Sequence, residues 1–294
     1  MIEGGLTLEP AAVLDADTPR AAWRVRACAA LLALYALVAL LGWMHLLPDA
    51  QAFVGGSQQP PSASSPALWC GTDLLGRSVL WRVLAGTQTA VTIGLATVAV
   101  ALPLGLLLGL VAGWFGGWID DLIGWLYSVV VSVPGILLVT AIAYAMGRGL
   151  LAISVALAAT EWVGVMRLVR GEVLKHRAME YVLAARVGGA STAQILFGEI
   201  TPNVVHVAIV WSTLVLVAAV KSEVVLTFLG LGVQDGASWG LLIAGAAQDL
   251  VNDIWWPLAT TVTAMFGLIY SVSVLGDALR DAWDPRLDGA AFEA

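Results

Sequence analysis

Charge is what this chain most lacks. Asp, Glu, Lys and Arg make up 12% of its 294 residues, where a soluble domain averages roughly 25%. That deficit, a mean hydropathy of +0.88 and apolar runs long enough to cross lipid place it in the membrane class. Cysteine is nearly absent: Cys28 and Cys70 are too few for a disulfide framework, so free thiols are expected. The three histidines, His45, His176 and His206, are too scattered to form a metal cluster, and no H-E-x-x-H occurs. There is no G-x-x-x-x-G-K-[S/T] loop, which excludes nucleotide binding by that route. Ser and His never fall in a pattern that suggests a nucleophile. No catalytic, cofactor-binding or metal-ligating residue is assigned. The net charge of −7 sits mostly in tails and loops and points to no nucleic-acid partner.

What is there is a series of apolar runs. An N-terminal tail, 1–26, is acidic at first and ends in Arg20, Arg24 and Arg26. The run 27–47 exceeds the ~7–15-residue core of a signal peptide and reads as an uncleaved first transmembrane helix. Segment 48–70 is rich in Pro, Ser, Gly and Gln and reads as extended and poorly structured. Leu75, Val79, Leu80 and Val83 then fall at helical spacing with Arg77 and Arg82 off that face. That is the pattern of an interfacial helix closing a 48–90 connector. Further spans are expected at 91–112, 122–146 with a kink at Pro134, 150–169, 204–220 and 258–275. A tight turn at 147–149 joins two of them. Gly230, Gly232, Gly236 and Gly240 break segment 221–256 into short or re-entrant helices, with Trp255 and Trp256 as interface anchors. The expected architecture is an all-α membrane protein of six transmembrane helices, with its core at 91–286 and a polar tail at 287–294.

Charge also orients it. With both termini inside, Arg20, Arg24, Arg26, Arg167, Arg170, Lys175, Arg177, Arg186, Arg280 and Arg286 lie inside, and only Arg77, Arg82, Arg148 and Lys221 outside. The positive-inside rule favours that arrangement over its inverse. It puts 170–203, the longest polar interruption in the second half, in the cytoplasm. Within it Tyr181, Ala184, Ala185 and Gly188 share one helical face at i, i+3, i+4, i+7, where small side chains admit another backbone. Arg186 is left to reach acidic or backbone groups on a partner, and Gly188-Gly189 gives a chain reversal. Glu161 is the one acid deep within a span and a functional candidate by default. With Lys221 and Glu223, at the outer end of the fifth span, it makes up a candidate translocation path. The plainer readings are a structural or cavity-lining acid and two interface charges.

The segment YVLAARVGGAS…ITPN resembles the cytoplasmic "EAA" signature of permease subunits of ABC importers. It has the Ala184-Ala185 pair, Gly189 four residues after it, and Pro202 thirteen beyond that glycine. Upstream, Trp162, Arg167 and Arg170 fit a W-x4-R-x2-R pattern. Gly71-Thr-Asp-Leu-Leu-Gly-Arg77, the 113–120 turn and 228–240 narrow the likeness to the C-type subunit of dipeptide, oligopeptide and nickel importers. The resemblance implies a coupling helix seated on an ATPase through Glu180, Tyr181, Ala184, Ala185, Arg186, Gly188, Gly189 and Pro202. It implies a second, B-type permease, two ABC ATPase subunits that hold ATP and Mg, an extracytoplasmic binding protein, and a bacterial or archaeal inner membrane. Asp73, Arg77, Gly230, Gly232 and Trp239 are the candidates for docking that binding protein. Departures are Leu183 where the signature often has Glu, Thr201 where Leu is common, Trp125 and Ser128 where relatives often carry Arg and Asp, and Glu161 at a position expected to be neutral. A peptide importer permease is the leading expectation. A nickel or other small-solute importer and a stand-alone proton-coupled transporter are the alternatives.

Overall fold

The computed structural model describes residues 19–147, 149–233 and 236–283. Most of both expected tails, Arg148 of the expected tight turn, and Arg286 lie outside them. Nine α-helices account for most of the described chain: α1 (Pro19–Trp43), α2 (Val79–Phe115), α3 (Gly117–Ser132), α4 (Gly135–Ala145), α5 (Leu150–Arg177), α6 (Glu180–Val187), α7 (Thr201–Phe228), α8 (Trp239–Asp249) and α9 (Trp256–Ala282). Among the described residues five segments are long and apolar enough to cross a membrane, six if the bent pair α3 and α4 is one span.

Span boundaries shift from those expected because hydropathy marks where lipid ends, and a helix ends where its backbone bonds do. α5 continues through its charged end to Arg177, and α7 runs on to Phe228. The interfacial helix expected at 75–83 does not exist as a separate element. Ser78, with an extended backbone, accepts a hydrogen bond from the Trp81 N–H and caps α2 at Val79, and α2 then runs unbroken for 37 residues, about 55 Å. The kink expected at Pro134 is a break: α3 and α4 meet at 93°. Val133, just before the proline, is extended at φ −99 and ψ 133, because the proline ring excludes the helical region from its predecessor.

α2 is the central strut. Gly105, Gly109 and Gly113 face α5 so closely that an added Cβ would lie 2.5, 2.7 and 2.8 Å from Cβ of Val165, Val169 and Val173. The rising numbers on both sides show that the two helices run parallel. Stripping the side chain from one ridge lets backbones approach, which is how helices associate without a hydrophobic drive between them. Ala158, Trp162, Val165 and Met166 of α5 join Leu110 and Trp114 of α2 in one buried cluster, with Val182, Ile195 and Ile200 from the polar stretch and Val204 just after it.

The 48–70 connector was expected to be loose and is instead folded onto residues 71–78. The Val54, Gln58 and Thr72 N–H groups donate to Gly76, Asp73 and Gln59 carbonyls at 3.0, 2.9 and 3.0 Å, and Phe53 bridges to Arg77. Composition alone does not show this fold, because the pairing partner of each turn-forming residue lies up to some 20 residues on. Gln58 Nε2 also donates to Asp249 at 2.9 Å, and Trp256 Nε1 donates to the Thr72 carbonyl at 3.2 Å. This cap and α8 therefore form one end of the bundle. α6, the α2–α3 turn and the His206–Trp283 contact form the other.

Candidate functional site

Three places bring the chemistry-bearing residues together. The first is α6. Its inner face is set into the bundle: Val182 is fully buried, and Tyr181, Ala185 and Ala190 pack against the main core. Tyr181 Oη sits 2.8 Å from His176 Nδ1, and burial raises its phenol above the ordinary value. The outer face presents Leu183, Ala184, Gly188 and Val187, the last 90% exposed. The expected common face of Tyr181, Ala184, Ala185 and Gly188 is therefore split, two inward and two outward. The guanidinium of Arg186, an exposed residue, lies 5.2 Å over the Trp114 ring and ties α6 to α2.

α6 ends in a Schellman turn. The Gly189 N–H donates to the Arg186 carbonyl and the Ala190 N–H to that of Ala185, both at 3.1 Å, with Gly189 at φ +82. An L side chain is strained there, which gives the Gly189 of the signature a local cause. Pro202 sits in the first turn of α7, directly after a π-helical stretch, Gln194–Ile200, that leads into it without a break; the widened turn is where a helix accommodates a missing N–H.

The second place lies beside it. Arg170 Nε and Nη2 donate to the two carboxylate oxygens of Asp120, each at 2.6 Å. Arg167 stacks 5.4 Å over Tyr127. These residues border a cleft of about 660 Å³ that Trp125 and Ser128 also line. Asp120 ends the 113–120 turn and Arg170 the W-x4-R-x2-R pattern; their pairing is not legible along the chain, because opposite charge alone does not pick one partner among many.

The third is a cleft of about 420 Å³ between the α3–α4 break, α5 and α7. Glu161 and Lys221 both line it, with Thr160 and Ser222 beside them. Two of the three translocation-path candidates thus share a wall-to-wall space. Glu223 does not. It was read most simply as an interface charge, but it is fully buried. Thr227 Oγ1 donates to Glu223 Oε1 at 2.9 Å and accepts from the Val233 N–H at 3.1 Å, so Glu223 supports the loop after α7.

At the capped end the docking candidates divide. Trp239 is fully buried and donates from Nε1 to the Val83 carbonyl at 3.1 Å. Gly232 is buried against Thr227, whose Oγ1 leaves no room for a Cβ. Asp73 is buried between Arg77 and Arg82 at 2.8 and 2.6 Å. None of the three presents a side chain at the surface; they shape it from beneath. Arg77 is half-buried and Gly230 exposed. The residues that do stand out are Phe53, Trp69, Leu74 and Leu75; of these only Leu75 belongs to an apolar period in the sequence. Among the described residues no three His, Cys, Asp or Glu side chains converge to hold a metal.

Comparison with known proteins gives a consistent picture. Residues 105–289 match the family described as binding-protein-dependent transport system inner membrane component. The chain is 39% identical over 229 residues to the dipeptide transport system permease protein of Bacillus subtilis, covering 78% of this chain and 71% of that one. It is 35% identical over 235 residues to the oligopeptide transport system permease protein of the same organism, covering 79% and 75%. It is 35% identical over 254 residues to the glutathione transport system permease protein of Pectobacterium atrosepticum, covering 85% and 84%.

Proposed function

Because the chain belongs to the family of binding-protein-dependent transport system inner membrane components, we propose that it is one permease subunit of an ATP-driven peptide importer. In this reading it forms half of a pore with a second, B-type permease in a bacterial inner membrane. The names of its relatives support peptide cargo over nickel. The end bearing α6 faces the cytoplasm, as the distribution of Arg and Lys favours. ATP and Mg are handled by two ATPase subunits, and a binding protein delivers cargo to the capped end, where Phe53, Trp69, Leu74 and Leu75 offer an apolar surface.

One observation carries the coupling role. α6 presents a small, apolar outer face while its inner face is built into the same core as α2 and α5. A push on the outer face is therefore passed to the spans as a rigid-body shift, without a flexible tether to absorb it. The test is Ala184→Arg in the assembled importer, since Ala184 is exposed and its replacement disturbs no buried contact. Uptake should fall ~10-fold or more, as for truncating or blocking an interface centre, and ATP hydrolysis should lose its dependence on loaded binding protein. If uptake and stimulated hydrolysis both persist, α6 is not the coupling element.

A further inference from the structure

We propose that Glu161 and Lys221 form a site for the two charged ends of a zwitterionic peptide, so that this subunit itself selects cargo within the pore. The proposal rests on the importer reading above and adds a discriminating step to it. Glu161 lies eleven residues from the start of α5 at Leu150 and Lys221 seven from the end of α7 at Phe228, about 16 and 10 Å along their axes. Both therefore lie in the half of their helix nearer the cap, on separate helices, lining one cleft.

Their lack of partners is the telling feature. Among the described residues neither makes an ion pair or a side-chain hydrogen bond, whereas Asp73 is paired with Arg77 and Arg82, and Asp120 with Arg170. Arg167 and Arg186, which have no carboxylate, lie over aromatic rings. An unpaired charge at membrane depth is costly and calls for a counter-charge that arrives with a ligand. Here there are two, of opposite sign, with the hydroxyls of Thr160 and Ser222 as further hydrogen-bonding groups.

The rest of the cleft is apolar, with Val133, Ile136 and Leu157 on its walls. Such walls accept varied side chains without reading them, while the charged pair reads what all short peptides share. The volume, about 420 Å³, falls among small-molecule sites of ~300–1,000 Å³. Cargo with only one charged end would leave the other protein charge uncompensated, which is discrimination by penalty. The break at Pro134 gives the space its wall, since a straight helix from α3 into α4 would not turn Val133 and Ile136 around the opening.

The test uses the complete importer in proteoliposomes with trialanine, its N-acetyl form and its C-terminal amide. Each result is taken as the ratio of variant to parent uptake, so that selection by the binding protein cancels. Glu161→Gln should slow free trialanine ~10-fold or more, the effect of one lost charge-assisted hydrogen bond, and leave the N-acetyl form unchanged. Lys221→Gln should do the same for trialanine but spare the amide. Equal losses for all three peptides, the result expected if both charges merely pair with the second permease, would overturn the proposal, as would no loss.

A second measurement stands apart from uptake rates. A tripeptide with a photoreactive benzophenone side chain should cross-link to the cleft wall near Val133 and Ile136 in the parent, and not in either variant. Cross-links that avoid the cleft, or that persist in both variants, also overturn it. ATP hydrolysis separates the two readings. If loaded binding protein stimulates hydrolysis but cargo selection does not change, only the site fails; if it does not stimulate the unaltered complex, the importer reading fails and the site with it.

Discussion

Asp73 holds the capped end together with one carboxylate. It accepts the Leu75 and Arg77 backbone N–H groups at 2.9 Å each, Arg77 Nε at 2.8 Å and Arg82 Nη1 at 2.6 Å. Burial pushes its carboxyl up, but donation from Arg77 and the charges of Arg82 and Arg77 outweigh that, so its value lies below the ordinary aspartate range. A carboxyl depressed in the folded state adds stability above its unfolded value, and that stability is lost as pH falls through the folded one. Reaction of Cys70, half-buried in the cap, with 2,2′-dipyridyl disulfide, taken at each pH relative to a small free thiol so that the thiolate fraction cancels, should therefore stay slow from neutral pH to about 4 and accelerate below it. A rate flat down to pH 2.5 would remove Asp73 from this role. Asp73→Ala should cost about 3–5 kcal/mol, because it strands the buried Arg82, and should free Cys70 at neutral pH. None of this was legible from GTDLLGR alone. The residues of the cluster were visible and were read as a surface, since a sequence does not say which charges are withdrawn from water.

Among the elements, α2 and α5 set the frame. Gly109→Leu would drive a side chain into Val169 and the Met166 carbonyl, which an added Cβ already approaches at 2.7 and 2.8 Å. The helices must part, at about 1–3 kcal/mol for an overpacked site, and the melting temperature of the purified complex should drop. Gly171→Ala is the control: nothing lies within 4 Å of its added Cβ, and helix propensity favours alanine by up to about 1 kcal/mol. Equal melting temperatures for Gly109→Leu and the parent would show that the close approach does not carry the packing. The α-helical class and most spans could be read from hydropathy, and Pro134 announced a change of direction. Its size could not be read, because 93° depends on what α4 packs against.

For the whole molecule, the arrangement of ends is the feature that function needs. The cap and α8 share one end, α6 and the α2–α3 turn the other, and the proposed orientation puts the first outside. In a cysteine-free background, Leu74→Cys, on the exposed cap, should react with an impermeant maleimide in intact spheroplasts, whereas Phe197→Cys, exposed beside α6, should react only after permeabilisation. The reverse pattern would invert the topology and with it the assignment of α6. By itself the sequence determined the solvent, the helical class, the place of most spans and the family signature. Each of those follows from composition, period or a local signature along the chain. Only the tertiary structure decided that Tyr181 and Ala185 face inward and Ala184 outward, that Glu161 shares a cleft with Lys221 while Glu223 is sealed in the bundle, and that Trp239 is a support. The reason is physical: burial and pairing belong to the neighbours a residue acquires on folding. In a chain this apolar, where nearly every position could face either lipid or protein, hydropathy leaves that choice open.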